Sequence, residues 1–82
     1  MTSQADRQIG DIVAANIRAR RLQTRLTQRA VATALDCTTI TISRWERGGH
    51  MPSQRYLHAL ANVLDVEPSW FFIDHQPGEQ AA

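Results

Sequence analysis

Apolar residues in this chain recur in short blocks at helical spacing, and each block is fenced by residues that start or stop a helix. The clearest block is Leu57, Leu60, Ala61 and Leu64, at i, i+3, i+4 and i+7, with Ser53 placed to cap its start. Earlier, Ile9, Ile12, Val13 and Ile17 repeat at the same spacing from about Asp6, and Arg18, Arg20 and Arg21 sit near that helix's end, where cations suit the dipole. A second helix opens after Leu26 with Thr27 as N-cap and carries Ala30, Val31, Ala34 and Leu35 as its apolar stripe. Asp36 and Cys37 follow as a turn, since Asp enters the left-handed region at modest cost. Pro68 fits the first turn of a last short helix, with Val66 set to staple onto Phe71. These fences limit the chain to an all-α bundle of about five short helices around one small core.

One segment resists this reading. Thr38-Thr39-Ile40-Thr41-Ile42-Ser43 is β-branched and alternating, which taken alone says strand. Against that, Ile42 and Trp45 have helical spacing, Thr38 can cap, and Gly48 is placed as a C-terminal stop. Read from its own residues, the segment is balanced between strand and helix.

Charge is distributed unevenly. Residues 18–47 hold seven arginines against Asp36 and Glu46, a local excess of +5, while the flanks are acidic and the whole chain is only +1. A basic middle suits a phosphate backbone, although a solvated helix face explains it equally well. With 82 residues and 43% hydrophobic content, there is room for one domain, too apolar to be disordered. No apolar run approaches the roughly 18 residues of a membrane span. The first residues lack the basic and apolar regions of a signal peptide, which gives the cytoplasm as the expected location. Residues 1–5 are expected to form a loose arm, 6–73 the domain and 74–82 a frayed tail. Cys37, His50, His58 and His75 fit no paired metal-ligand pattern. No nucleophile–base set or phosphate loop is visible, so neither a cofactor nor an enzyme activity is expected.

The stretch from Leu26 to Ser53 carries more than periodicity. Leu26-Thr27-Gln28, Val31-Ala32, Ile42-Ser43-Arg44-Trp45-Glu46-Arg47-Gly48 and Pro52-Ser53, preceded by Ile17-Arg18-Ala19-Arg20-Arg21 and followed by Leu57, Leu60-Ala61, Leu64, Asp65-Val66 and Trp70-Phe71, stand in an order that resembles the lambda-repressor-like helix-turn-helix family, also called the Cro or XRE family. About 60 of the 82 residues take part. The resemblance implies a compact five-helix DNA-binding domain with the helix-turn-helix at about 27–47. It favours helix for the disputed segment, with Thr39 to Arg47 as the recognition helix, held inward by Ile42 and Trp45.

Roles follow by resemblance. Thr39, Ile40 and Arg44 match base-reading positions. Arg44 can reach a guanine with two bonds, Thr39 can donate or accept, and Ile40 can touch a thymine methyl. Gln28 matches a phosphate-contacting position that often steadies a base-reading side chain, and Arg29, Ser43 and Arg47 are placed toward phosphates. Arg44 limited to phosphate, Ile40 partly buried and Arg47 at a solvated helix end are the alternatives. Arg21 and Glu46 match an ion pair of the family that holds the recognition helix to the scaffold. Departures stand out as well: Asp36 and Arg25 replace glycines, and the loop 48–52 has neither lysine nor arginine.

One recognition helix reads few base pairs, so a homodimer on a double-stranded palindromic operator is expected, with repression as its effect. Tyr56, Trp70, Phe72 and Ile73 are the candidate dimer surface, with closure of the small core as their alternative role. Rival readings are an antitoxin that also binds a toxin, a controller protein of a restriction–modification system, and a protein–protein module that has lost DNA binding.

Overall fold

A computed structural model describes residues 8–75. Within them lie α1 (Ile9–Gln23), α2 (Gln28–Leu35), α3 (Thr39–Glu46), α4 (Gln54–Leu64) and a terminal 3-10 helix (Pro68–Phe72), with no strand among the described residues. α1 lies against α3 and the 3-10 helix, and α2 against α3 and α4. The core is shared by all five elements: Val13 and Ile17 from α1, Val31, Ala32 and Leu35 from α2, Ile42 and Trp45 from α3, Leu57, Leu60, Ala61 and Leu64 from α4, and Phe71. The expected arm at 1–5 lies outside the described residues, as does the tail beyond His75.

Among the described residues four α-helices, not five, make the bundle. The fifth expected helix is only a five-residue 3-10 turn, with Pro68 in its first positions and Ile73 already extended. Its carbonyls explain why it does not continue as an α-helix. The Asn16 side-chain amide donates to the carbonyls of Phe71 at 2.8 Å and Ile73 at 2.7 Å. The Phe71 carbonyl, which a longer helix would pair with the His75 N–H, is satisfied from α1 instead, and the Ile73 carbonyl would meet Pro77, which has no N–H to give.

The β-branched segment folds as helix α3. The Thr38 hydroxyl accepts the Thr41 N–H at 3.2 Å, an N-cap of the expected kind. Four β-branched residues in a helix cost roughly 2–3 kcal/mol in propensity. Full burial of Ile42 and near-full burial of Trp45 each contribute about 1.5–3 kcal/mol or more. Tertiary burial therefore outweighs the local preference. The stripe of α2 is rotated from its expected place: Val31, Ala32 and Leu35 are buried, whereas Ala30 and Ala34 are exposed. Ile9 stands half exposed at the start of α1, so the buried face of that helix is Val13, Ala14, Asn16, Ile17 and Arg21.

All four α-helices end alike. A left-handed or positive-φ residue follows each: Arg25 (φ 64°), Asp36 (58°), Gly48 (81°) and Asp65 (60°). The next residue's N–H then turns back to the carbonyl five positions earlier: Leu26 to Arg21, Cys37 to Ala32, Gly49 to Arg44 and Val66 to Ala61, at 2.9–3.1 Å. This is the Schellman arrangement, and glycine serves it at one of the four sites. The two residues that depart from the family's glycines, Arg25 and Asp36, thus hold the strained backbone that glycine would adopt freely. A residue with a Cβ pays about 1–2 kcal/mol there, less for Asp, and glycine's extra freedom in the unfolded chain returns part of that on substitution. Arg25→Gly is expected to raise stability by about 0.5–1 kcal/mol in urea unfolding, with Asp36→Gly smaller. Gly48→Ala should lower it by about 1 kcal/mol or more, because its Cβ would also stand 3.3 Å from the Asp11 carboxylate.

Candidate nucleic-acid interface

α3 is short, and its orientation is set on its buried side. Ile42, Trp45 and Glu46 face inward. The Trp45 ring sits 5.1 Å from Tyr56, centroid to centroid, tying α3 to α4. Glu46 is the unusual member, a carboxylate whose side chain is 3% exposed. Arg21 donates to it through Nε at 2.6 Å and Nη2 at 3.0 Å, and Gln28 adds an amide N–H at 3.0 Å. The Arg21 Nη1 donates to the Leu26 carbonyl at 2.9 Å. One carboxylate thus ties the end of α1, the loop after it, the first residue of α2 and the last residue of α3. The hydrogen bonds that Arg21 donates to Glu46 raise the Arg21 pKa further, against the lowering effect of burial.

With the inner face fixed, Thr39, Ile40, Arg44 and Arg47 are exposed on α3 and Ser43 is half-buried. Ile40, at 64% exposed, is an apolar side chain offered to solvent on this face. Arg29 is exposed on the first turn of α2. Thr27 caps that turn by accepting the Ala30 N–H at 2.9 Å, which leaves the Gln28 and Arg29 amides at the start of the helix, where an anion is favoured. The Gln28 side chain, expected at a phosphate or beside a base-reading residue, gives one of its two N–H groups to Glu46.

Two of the seven central arginines are consumed by the fold. Arg21 is buried in the pair just described, and Arg20 donates to the carbonyls of Leu64 at 2.7 Å and Asp65 at 3.4 Å, closing the end of α4. Arg18, Arg25, Arg29, Arg44 and Arg47 remain exposed as the basic surface. Neither Arg20 nor Asn16 was singled out for these roles in the sequence. The available signal is their register: Asn16 and Arg20 fall on the Val13–Ile17 face of α1, where a polar residue needs a partner.

Of the candidate dimer residues, Tyr56 and Trp70 are half-buried against the core, while Phe72 (41%) and Ile73 (53%) are exposed. Trp70 meets Phe71 edge-on at 5.8 Å, and His75 stacks on it at 4.2 Å while its Nε2 lies 3.0 Å from the Trp70 carbonyl. Residues 74 and 75, expected to fray, are thus described, and His75 is packed.

A family model described as helix-turn-helix matches residues 17–71. The chain belongs to the lambda-repressor-like helix-turn-helix family of transcriptional regulators. Among its relatives, the HTH-type transcriptional regulator DicA of Escherichia coli is 41% identical over 64 residues, covering 74% of this chain and 47% of DicA. The chain therefore spans about half the length of that relative. The P22 c2 repressor, solved in complex with a synthetic operator, shares 30% identity with a TM-score of 0.70 over 73% of this chain and 91% of its own. ClgR, the clp gene regulator of Corynebacterium glutamicum, has the same fold at a TM-score of 0.79, with 22% identity over 93% of this chain and 80% of its own. These relatives are regulators rather than enzymes. Among the described residues no helix is long and apolar enough to cross a membrane.

Glu46→Ala would strand Arg21 in a buried site, an expected loss of about 3–5 kcal/mol. A double-mutant cycle with Arg21→Ala should return a coupling of about 1–3 kcal/mol in urea unfolding. Away from this face, burial and then the charge of Asp36 push the Cys37 thiol up. A thiol whose pKa is raised by folding favours the fold while protonated, so stability is expected to fall as pH climbs past the unfolded thiol's value of about 8.5. Alkylation of Cys37 at pH 8 should run slower in the folded chain than in urea.

Proposed function

We propose that this chain is a sequence-specific double-stranded DNA-binding regulator, acting as a repressor that binds a palindromic operator as a homodimer and inserts α3 into the major groove. The observation that carries the proposal is the division of α3. Its inner face is locked by Ile42, Trp45 and the Arg21–Glu46–Gln28 cluster, and its outer face presents Thr39, Ile40, Arg44 and Arg47 without a structural task. A rigid helix with an unspent polar and apolar face is what direct base readout requires.

In this reading Arg44 supplies most of the discrimination, through paired hydrogen bonds to guanine O6 and N7. Thr39 contributes a weaker polar contact and Ile40 a thymine methyl contact. Arg29, Arg47, Ser43 and the amides at the start of α2 hold phosphates and set register without reading sequence. The operator named with the P22 c2 repressor supports a DNA ligand for this chain as well. Two copies would place their α3 helices about 34 Å apart, one turn of DNA, using the surface around Tyr56, Trp70, Phe72 and Ile73. A toxin partner has no support in the relatives named above, and it is not part of the proposal.

Selection from a random-sequence DNA pool at fixed salt tests this directly. The expected product is an inverted repeat with half-sites about one helical turn apart. Arg44→Ala should relax preference at one position of each half-site, by about 1–3 kcal/mol. Arg29→Ala or Arg47→Ala should weaken all sequences evenly and reduce the salt slope by about 1 per site. A pool that enriches nothing, or an Arg44→Ala protein with unchanged preference, would overturn the reading.

A further inference from the structure

Asn16 is a buried polar residue on α1, only 6% exposed, and its neighbours are carbonyl oxygens of the C-terminal segment. Its amide nitrogen lies 2.8 Å from the Phe71 oxygen, 2.7 Å from the Ile73 oxygen and 3.5 Å from that of Trp70. The facing atom must be the nitrogen, because an oxygen there would repel all three. Its two protons match the two short contacts.

The carbonyls so held flank Phe72. The chain on either side of that residue is clasped from a different helix, while the Phe72 side chain and that of Ile73 stand exposed. The same bonds end the 3-10 helix and send Ile73 into extended backbone, at φ −95° and ψ 132°. Trp70 is braced from the other side by the stacked His75 ring. The direction in which Phe72 and Ile73 project is therefore decided by Asn16, one residue before Ile17 at the centre of the core.

We infer that Asn16 is the positioning residue of the dimer surface: by clasping the Phe71 and Ile73 carbonyls it fixes how Phe72 and Ile73 meet a second copy of this chain, and so sets the separation of the two α3 helices. This rests on the dimeric, DNA-reading proposal above. The occupant is a second copy rather than DNA, because the exposed Glu67 beside this segment opposes a phosphate backbone and Phe72 and Ile73 offer it only apolar surface. A second copy is also what one eight-residue recognition helix needs to read a full operator.

The test compares wild type, Asn16→Ala, Asn16→Ser and the Phe72→Ala/Ile73→Ala double variant by sedimentation equilibrium and by DNA pool selection, with circular dichroism to confirm folding. For wild type the expectation is a dimer and one sharply preferred half-site spacing. Removing the amide should weaken dimerisation by about tenfold or more, because the surface is no longer preorganised. The preferred spacing should broaden while the half-site sequence stays the same. A residue that merely supported the fold would not separate spacing from sequence in this way. Asn16→Ser keeps one donor and should fall between wild type and Asn16→Ala, and it decides the matter by the same readouts if Asn16→Ala does not fold. The double variant changes only exposed side chains, so it should fold and be monomeric. A folded Asn16 variant with unchanged dimer affinity and spacing overturns the inference, as does a double variant that still dimerises. A wild-type chain that selects no DNA, or selects single half-sites as a monomer, instead overturns the proposal on which the inference rests.

Discussion

The arrangement depends on one buried carboxylate. Glu46 closes α3, and its two oxygens collect Arg21 from α1 and Gln28 from α2. Removing two charges from water is costly, and an apolar trio of similar size could hold these helices at least as tightly. What an apolar trio lacks is direction. A bidentate guanidinium–carboxylate contact tolerates little rotation of either partner. Turning α3 about its axis would break two charge-assisted bonds before any apolar contact was lost. The helix that presents Thr39, Ile40 and Arg44 is thus held in angle as well as in place.

Other polar side chains of α1 serve the ends of elements elsewhere in the chain. Arg20 reaches across to the last carbonyls of α4, and Asn16 reaches those at the end of the chain's last turn. A helix of any length leaves its last carbonyls without partners of its own, and here α1 supplies donors to two such ends. The basic surface is correspondingly smaller than the arginine count suggests. Two of the central seven arginines are structural, and the other five are exposed to solvent.

The departures from the family pattern have different consequences. Arg25 and Asp36 occupy left-handed positions without the freedom of glycine, which costs stability and leaves the path of the chain unchanged. On α3 the side chains of Thr39 and Ile40 are short. In the proposed DNA-bound state most hydrogen-bond discrimination would then fall to Arg44, and phosphate contacts of the neighbouring arginines would carry more of the affinity.

Much of this was legible in the sequence because it is local. Thr27, Thr38 and Ser53 cap the helices they precede, as side chain and amide lie three residues apart. Asp36 and Gly48 end theirs through backbone conformation alone. Register on α4 followed from four apolar residues at helical spacing. The rest is decided between distant segments. The residues of 38–43 are balanced between strand and helix when read alone, and they form a helix because Ile42 and Trp45 have a core to enter. The last segment reads as a fifth helix and stops at one 3-10 turn because Asn16, more than fifty residues away, takes its carbonyls. Arg20 and Arg21 are adjacent and alike in local pattern; the family resemblance pointed to the Glu46 partner of Arg21, whereas nothing in the sequence pointed to the α4 carbonyls that Arg20 caps. Sequence by itself determined where helices begin, where they end and which family they build. Tertiary structure decided which polar side chains were spent in holding them, because the partners in those bonds come from separate parts of the chain.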